Sequence, residues 1–284
     1  MVPKQALTGS IGWLAGLGVP AWCRDALLTR FARLYGIDTK EAARGLSDYD
    51  TFDNFFTRQL VPGARTVEPG DDVVTSPADG TVVECGVVVE GQLMQAKGVL
   101  FDLEELLADQ AAARRLTGGA YLITYLSPKD YHRVHAPIGG KIVGWRHVPG
   151  TLFPVNAGSV IREPGLFIRN ERFITFIEGA AGMCAVVMVA AVGVGHVTAA
   201  YDPTVATHSA SFLRAPERAR TFEDPPAVAK GDELATFHLG STTVVVFEPG
   251  RIQLRTLENG TKTKMGELIG RILPAETDGL VRSA

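Results

Sequence analysis

Beyond residue 73 the chain alternates between short apolar runs and breaks containing Gly or Pro. Runs rich in Val, Ile, Thr and Phe recur at Thr81–Cys85, Gly86–Val89, Tyr121–Leu126, Lys141–Val148, Phe173–Glu178, Met183–Val194, Thr242–Glu248 and Arg251–Thr256. Apolar runs of this length between turn formers read as strands joined in antiparallel hairpins. The uncharged stretch from Gly179 to Tyr201 is rich in Val and punctuated by Gly182, Gly193 and Gly195. It reads as buried β-structure. One helix, Leu103 to Leu116, interrupts the strands. Before this region the texture is helical: Thr39 to Tyr49 reads as a short helix, Phe52 to Arg58 continues in the same style, and Pro62-Gly63 stops it. The expected fold class is therefore α+β, a helical N-terminal segment followed by a β-rich, mainly antiparallel body, with the boundary near Pro62–Pro69.

Composition changes this picture little. With 284 residues, 46% of them hydrophobic and 21% charged, the chain has the balance of a packed globular protein. A net charge of −3 argues against a general nucleic-acid binder, which needs a basic footprint. Cys23, Cys85 and Cys184 are far apart and odd in number, which excludes a disulfide scaffold or a CxxC knuckle and suits a reducing cytosolic compartment. The uncharged run from Gln5 to Cys23 is broken by Gly9, Gly12, Gly16, Gly18 and Pro20, so neither a signal peptide nor a membrane span is expected there. Charge is unevenly spread. Residues 1–36 hold Lys4, Arg24, Arg30 and Arg33 against only Asp25, together with Trp13, Leu14, Leu17 and Trp22. Basic residues mixed with Trp and Leu fit a helix lying in a bilayer interface, and equally fit a solvated helical hairpin packed on a domain.

Three local sequences could carry chemistry: Ser76-Pro77-Ala78-Asp79-Gly80, the stretch Ser127 to Pro137 that contains Tyr131-His132-Arg133-Val134-His135, and His238-Leu239-Gly240-Ser241-Thr242. Each also has a plain reading. Pro-Ala-Asp-Gly is a good turn, Ser127-Pro128-Lys129-Asp130 resembles a helix start, and a small polar turn before an apolar strand is ordinary. A helical turn would put His132 and His135 on one side, whereas an extended chain would put them on opposite faces. No Glu accompanies the two histidines as in HExxH and no Cys lies near, so no metal is expected. Together, Asp79, His135 and Ser241 supply an acid to orient, a base and a nucleophile, though the Gly-x-Ser-x-Gly elbow of ordinary hydrolases is missing.

Several stretches, in order along the chain, resemble the phosphatidylserine decarboxylases. They are Phe55-Phe56-Thr57-Arg58-Gln59-Leu60 with Pro62-Gly63-Ala64-Arg65, then Pro77-Ala78-Asp79-Gly80, Gln95-Ala96-Lys97-Gly98, Tyr131-His132-Arg133-Val134-His135, Phe167-Ile168-Arg169-Asn170-Glu171-Arg172 and Leu239-Gly240-Ser241-Thr242. The likeness runs over roughly residues 50 to 256 and is far more specific than any single motif. It implies a pyruvoyl enzyme made from an inactive proenzyme. Asp79, His135 and Ser241 would be the self-processing triad, cutting between Gly240 and Ser241 into a β chain of residues 1–240 and an α chain of residues 241–284. The covalent pyruvoyl group derived from Ser241 would replace pyridoxal phosphate, form a Schiff base with the substrate amine and accept the electrons left by CO₂. His132 would protonate the resulting carbanion.

The resemblance also implies a phospholipid substrate held in the membrane. Residues 1–65 then read as a helical membrane-surface segment, docking through Trp13, Leu14, Leu17 and Trp22, and residues 66–284 as the catalytic domain. The expected placement is peripheral, on the cytoplasmic face of the cell membrane, as an α/β heterodimer or a dimer of such heterodimers. Three rival functions stay open at this point: a decarboxylase of the same family acting on a soluble amino acid, a serine hydrolase using the same triad, and a non-enzymatic membrane-surface binding module in which the Asp/His/Ser set is coincidental.

Overall fold

The computed structural model describes residues 18–96, 98–155, 159, 162–191, 196–207, 218–238 and 241–274. Helices α1 (Ala21–Tyr35) and α2 (Phe52–Phe56) come first, with single 3₁₀ turns at Thr39–Glu41 and Leu46–Asp48 between them. Strands β1 (Val73–Thr75), β2 (Gly80–Val87), β3 (Gln92–Ala96) and β4 (Val99–Asp102) lead to α3 (Leu103–Leu107) and α4 (Gln110–Leu116). Then come β5 (Ala120–Leu126), β6 (Arg133–His135), β7 (Gly140–Val148), α5 (Leu166–Arg169), β8 (Arg172–Gly179) and β9 (Gly182–Val189). The chain continues with β10 (His196–Ala199), β11 (Arg218–Thr221), β12 (Ala227–Val228), β13 (Glu233–His238) and β14 (Ser241–Phe247). It closes with β15 (Ile252–Leu254), β16 (Lys262–Thr263) and β17 (Leu268–Ile272). The class is α+β, as the sequence predicts, and every named strand pairing is antiparallel.

One large sheet, ordered β11-β7-β8-β9-β14-β5-β2-β16 with β12 also on β7, forms the body. Its central strands are buried on both faces, which explains why β9 and β14 read as continuous apolar runs rather than alternating ones. One face carries Leu122, Phe173, Val186, Met188, Val245 and Phe247 against the small sheets β10-β13-β6 and β1-β17-β15. The other carries Ile123, Ile174, Val187, Val244 and Val246 against α3, α4, α5 and the β3–β4 hairpin. The N-terminal helices keep a separate small cluster of Leu28, Ala32, Ile37, Tyr49 and Phe55.

Four local expectations change. The helix predicted over Leu103–Leu116 is two, because Ala108 takes a left-handed φ of 49° and Asp109 restarts the second helix by accepting from Ala112 N. The helix predicted over Thr39–Tyr49 is two isolated 3₁₀ turns, each stopped by extended backbone, at Ala42 and Tyr49. Ser127–Asp130 is a turn rather than a helix start: the Asp130 carboxylate accepts from both Ser127 N and Ser127 Oγ and closes the loop on itself. The run predicted to extend to Val194 leaves strand conformation after Val189, and residues 192–195 lie outside the described ones.

Candidate active site

The site lies where two chain segments cross between sheets. β5 ends at Leu126, which pairs with Ser241, the first residue of β14. On the other side of the crossing, Arg133 of β6 pairs with Thr236 of β13, and the His132 carbonyl accepts from Phe237 N at 2.9 Å. The segment from Leu126 to Arg133 is thus paired antiparallel at one end with Ser241 in the large sheet and at the other with Thr236 and Phe237 in the small one. Leu239 and Gly240 lie outside the described residues, and of Ser241 only the backbone pairing is described.

His132 is fully buried. Its Nδ1–H donates to the Asp130 carbonyl at 2.8 Å, and its ring packs on Phe56 with centroids 4.0 Å apart. Nε2 is sealed from solvent and has no hydrogen-bond partner. Burial, with the neighbouring Arg58 charge, pushes the ring's pKa down to about 3, so the imidazole is neutral with its one N–H committed. His135 is buried as well. Its Nδ1–H donates to the Gly231 carbonyl at 2.8 Å, leaving the Nε2 lone pair to accept from the Tyr131 hydroxyl at 3.1 Å. Burial lowers its pKa, opposed by the Gly231 hydrogen bond and by the charges of Glu233 and Asp79. The tautomers follow from these partners. From residue 133 the chain is extended, so the two rings do not share a helical face.

Asp79 sits in the predicted turn. His135 N donates to Pro77 O at 2.8 Å, which ties that turn to β6. Gly80 follows because a side chain there would run into the Tyr125 carbonyl, 2.5 Å from where its Cβ would stand. The Asp79 carboxylate itself does not hold the His135 ring. It accepts from Arg65 Nε at 2.9 Å and from Met265 N at 2.9 Å, while Gly231 orients the imidazole. Arg65 also bridges to Glu41. Burial opposes its charge, but the hydrogen bonds to Asp79 and Glu41 outweigh that and raise its pKa. Asp79 therefore acts on His135 through its charge rather than through a direct hydrogen bond, a departure from the expected acid–base contact.

Arg65, Tyr131 and Gly231 were not singled out as functional from sequence. Arg65 and Tyr131 sat in stretches that carried the resemblance without a role of their own, and a backbone carbonyl such as that of Gly231 leaves no signature in residue type. Conversely, several motif residues are architectural. Arg172 is buried and donates to the carbonyls of Glu105, Leu106, Ile168 and Asn170, capping α3 and α5. Asn170 fastens Phe153 to Ala190, and Gln95 joins β3 to the N-terminus of α5. Lys97 lies outside the described residues. Thr242 and Thr243, which follow Ser241, bury hydroxyls with no partner, as does Thr124 opposite Thr243. Among the described residues no group of three or more His, Cys, Asp or Glu could hold a metal ion.

At the N-terminus Trp22 is 88% exposed, and Leu27 and Leu34, seven apart on α1, are exposed too. Trp13, Leu14 and Leu17 lie outside the described residues. Among the described residues no helix is long and apolar enough to cross a membrane.

Residues 52–271 match the family model described as phosphatidylserine decarboxylase. The chain is 46% identical over 271 residues to the phosphatidylserine decarboxylase proenzyme of Anaeromyxobacter sp. (strain K), covering 95% of each. It is 42% identical over 273 residues to that of Myxococcus xanthus (strain DK1622), covering 96% of each. With that of Aliivibrio fischeri (strain ATCC 700601 / ES114) the identity is 36% over 276 residues, again 96% of each.

Proposed function

The chain belongs to the phosphatidylserine decarboxylase family, and from that premise we propose how its residues convert phosphatidylserine to phosphatidylethanolamine. It is a carboxy-lyase. The reading is that it first cuts itself between Gly240 and Ser241. The Ser241 hydroxyl attacks the Gly240 carbonyl while its proton passes to Nε2 of His135. That nitrogen suits a general base, because the other ring N–H is fixed on Gly231 and burial keeps the ring neutral. Tyr131 must first release Nε2. Burial raises the Tyr131 pKa, so the phenol stays a neutral donor throughout. The Asp79 charge favours the imidazolium as it forms. The Gly240–Ser241 C–N bond then breaks, the Ser241 nitrogen taking the proton from His135, and leaves an ester; elimination from that ester frees a β chain ending in the Gly240 carboxylate. Uptake of water and loss of ammonia then convert the remaining Ser241 unit to a ketone.

The residues present fit such a group. Next to Ser241 in the chain, Thr242 and Thr243 bury hydroxyls that have no partner among the described residues and would serve as donors to a carbonyl, while the acceptor Nε2 of His132 on the facing segment would take an N–H or O–H of a substrate. The pyruvoyl group supplies a carbonyl that binds the substrate amine and takes up the electron pair left by CO₂. In the resting enzyme the buried, unpaired Nε2 of His132 accepts rather than donates. His132 serves as proton donor only after it has taken up a proton at Nε2, and a deeply depressed pKa makes it a strong donor once charged.

A lipid substrate remains in the bilayer, so the enzyme works at the membrane surface. Trp22, Leu27 and Leu34 of α1, with the exposed Arg30 and Arg33 on the same helix, support docking there, whereas Arg24 is tied to Val19, Ser47 and Asp50. The observation that carries the whole reading is the crossover. It brings the first residue of β14 alongside a chain bearing a buried, neutral histidine with an unpaired nitrogen. The test is incubation of the purified protein with phosphatidylserine in detergent micelles. Equal amounts of CO₂ and phosphatidylethanolamine should form, and Ser241→Ala should stay a single chain and release none. CO₂ release by Ser241→Ala at the parental rate would refute the mechanism, and turnover of a free amino acid alone would refute the lipid substrate.

A further inference from the structure

His238 closes β13 two residues before Gly240 and takes no part in the chemistry above. Both of its ring nitrogens are nevertheless held. Nδ1 lies 2.8 Å from Asp53 Oδ2, and Nε2 lies 3.1 Å from Thr198 Oγ1. The ring also stands edge-on to His196, its strand partner in β10, with centroids 4.3 Å apart. Since an ionised carboxylate only accepts, Nδ1 carries the hydrogen given to Asp53. Neither side chain belongs to any of the three apolar clusters, and each keeps about a fifth to a quarter of its side-chain surface exposed (21% and 24%). Ion pairs so placed add little to folding stability.

The place of Asp53 is the second observation. It lies in the first turn of α2, behind the Thr51 cap. From the other end of the same short helix Phe56 packs on His132, and the residues after it bind the facing chain. Arg58 Nη2 donates to the Lys129 carbonyl at 2.9 Å, and Arg133 Nε donates to the Thr57 carbonyl at 3.0 Å. One element thus grips both strands that flank the crossing, one of them at the last described residue before the cut.

We propose that Asp53 and His238 form a positioning pair for self-cleavage, anchoring the chain that leads into the Gly240–Ser241 bond to α2. The inference rests on the reading that the chain cuts itself there. Intramolecular attack is steep in geometry: a displacement of about 1 Å can cost roughly 100-fold. A charge-assisted hydrogen bond three residues from the nucleophile limits that displacement.

The test follows conversion of newly made full-length chains from one band to two on denaturing gels, for the parent, Asp53→Ala, His238→Leu, the double variant and His238→Asn. The single variants should convert roughly tenfold or more slowly. The double variant should be no slower than the slower single, since the two side chains act as one unit. His238→Asn, whose amide N–H stands near the position of Nδ1, should convert close to the parental rate. Thermal midpoints are read for the same substitutions in the uncleavable Ser241→Ala background and should stay within a few degrees of that parent. Conversion at the parental rate in Asp53→Ala and His238→Leu would overturn the pair while leaving self-cleavage standing. Slowing that tracks a fall in thermal midpoint, with no rescue by His238→Asn, would overturn it too, as a folding effect. A parent chain that never converts would remove the reading of self-cleavage, and the pair with it.

Discussion

His132 and His135 lie three residues apart, and their hydrogen bonds differ at one ring nitrogen. Each gives its Nδ1–H to a backbone carbonyl, Asp130 for one and Gly231 for the other. The difference lies at Nε2, which is bare in His132 and held by a phenol in His135. His135→Ala should therefore leave the chain uncut, because the Ser241 hydroxyl loses its base. His132→Ala should be cut yet turn over roughly 10²–10⁴-fold more slowly, the contribution of a positioned proton donor. Gels alongside CO₂ release for each variant check both, and an uncut His132→Ala or one with parental turnover would contradict the division. Both rings also have depressed pKa values in the folded state. Below about pH 6.5 the unfolded chain then binds protons that the folded one refuses, so stability falls as pH drops from there towards about 3. Thermal midpoints should be level between pH 8 and 7 and decline progressively below about 6.5, with a shallower decline in His132→Gln. An unchanged slope in that variant would show that His132 is not the buried neutral group. At this scale the residue types were legible in the sequence, because acid, base and nucleophile announce themselves chemically. Their partners were not. The Asp79 carboxylate turned out to serve Arg65 and Met265 N, contacts set by the long-range return of the β16–β17 region and invisible along the chain.

Elements place these groups through a few buried polar fastenings. Arg65, only 7% exposed in its side chain, ties the segment after α2 to the turn before β2 through Asp79, itself 8% exposed. Replacing Arg65 by Met leaves that carboxylate buried with only the Met265 N–H for a partner, which should destabilise the protein by roughly 3–5 kcal/mol. Chemical denaturation of the uncleavable Ser241→Ala protein, with and without Arg65→Met, measures the effect, and a loss below about 1 kcal/mol would mean the pair behaves as an exposed one. The strands most legible in the sequence were the long central ones, β5, β8, β9 and β14, whose apolar runs follow from burial on both faces, and β7, whose burial largely alternates. β6 and β13 were missed, and β10 was read only as part of one β stretch running from Gly179 to Tyr201. They are short, carry His, Thr and Arg, and exist only because they pair with one another across long separations in sequence. The single helix expected over 103–116 reflects a continuous leucine and alanine pattern that runs through a left-handed Ala108, and only the Asp109 cap reveals the break.

At the scale of the molecule a two-faced sheet carries the chemistry and a small helical unit with its own apolar cluster faces the surroundings. The change from helices to strands between Phe56 and Val73 was legible, because the hydrophobic period changes there. The crossing of the two sheets was not, since it arises from registers that no local pattern records. Vesicle binding belongs to this scale. Replacing Trp13, Leu14 and Leu17 by Ser should weaken flotation with anionic vesicles while leaving chain cleavage intact, and raised salt should weaken it only partly, since apolar burial is not screened as charge is. Flotation equal to the parent would remove that role from residues 13–17. The central claim is that this chain makes its own reactive carbonyl by breaking one peptide bond. The most direct measurement is the intact mass of the purified, active protein. Two polypeptides should appear, residues 1–240 and residues 241–284, the smaller lacking a free amino terminus and carrying a ketone in place of Ser241. A single uncut chain with full decarboxylase activity would contradict the account.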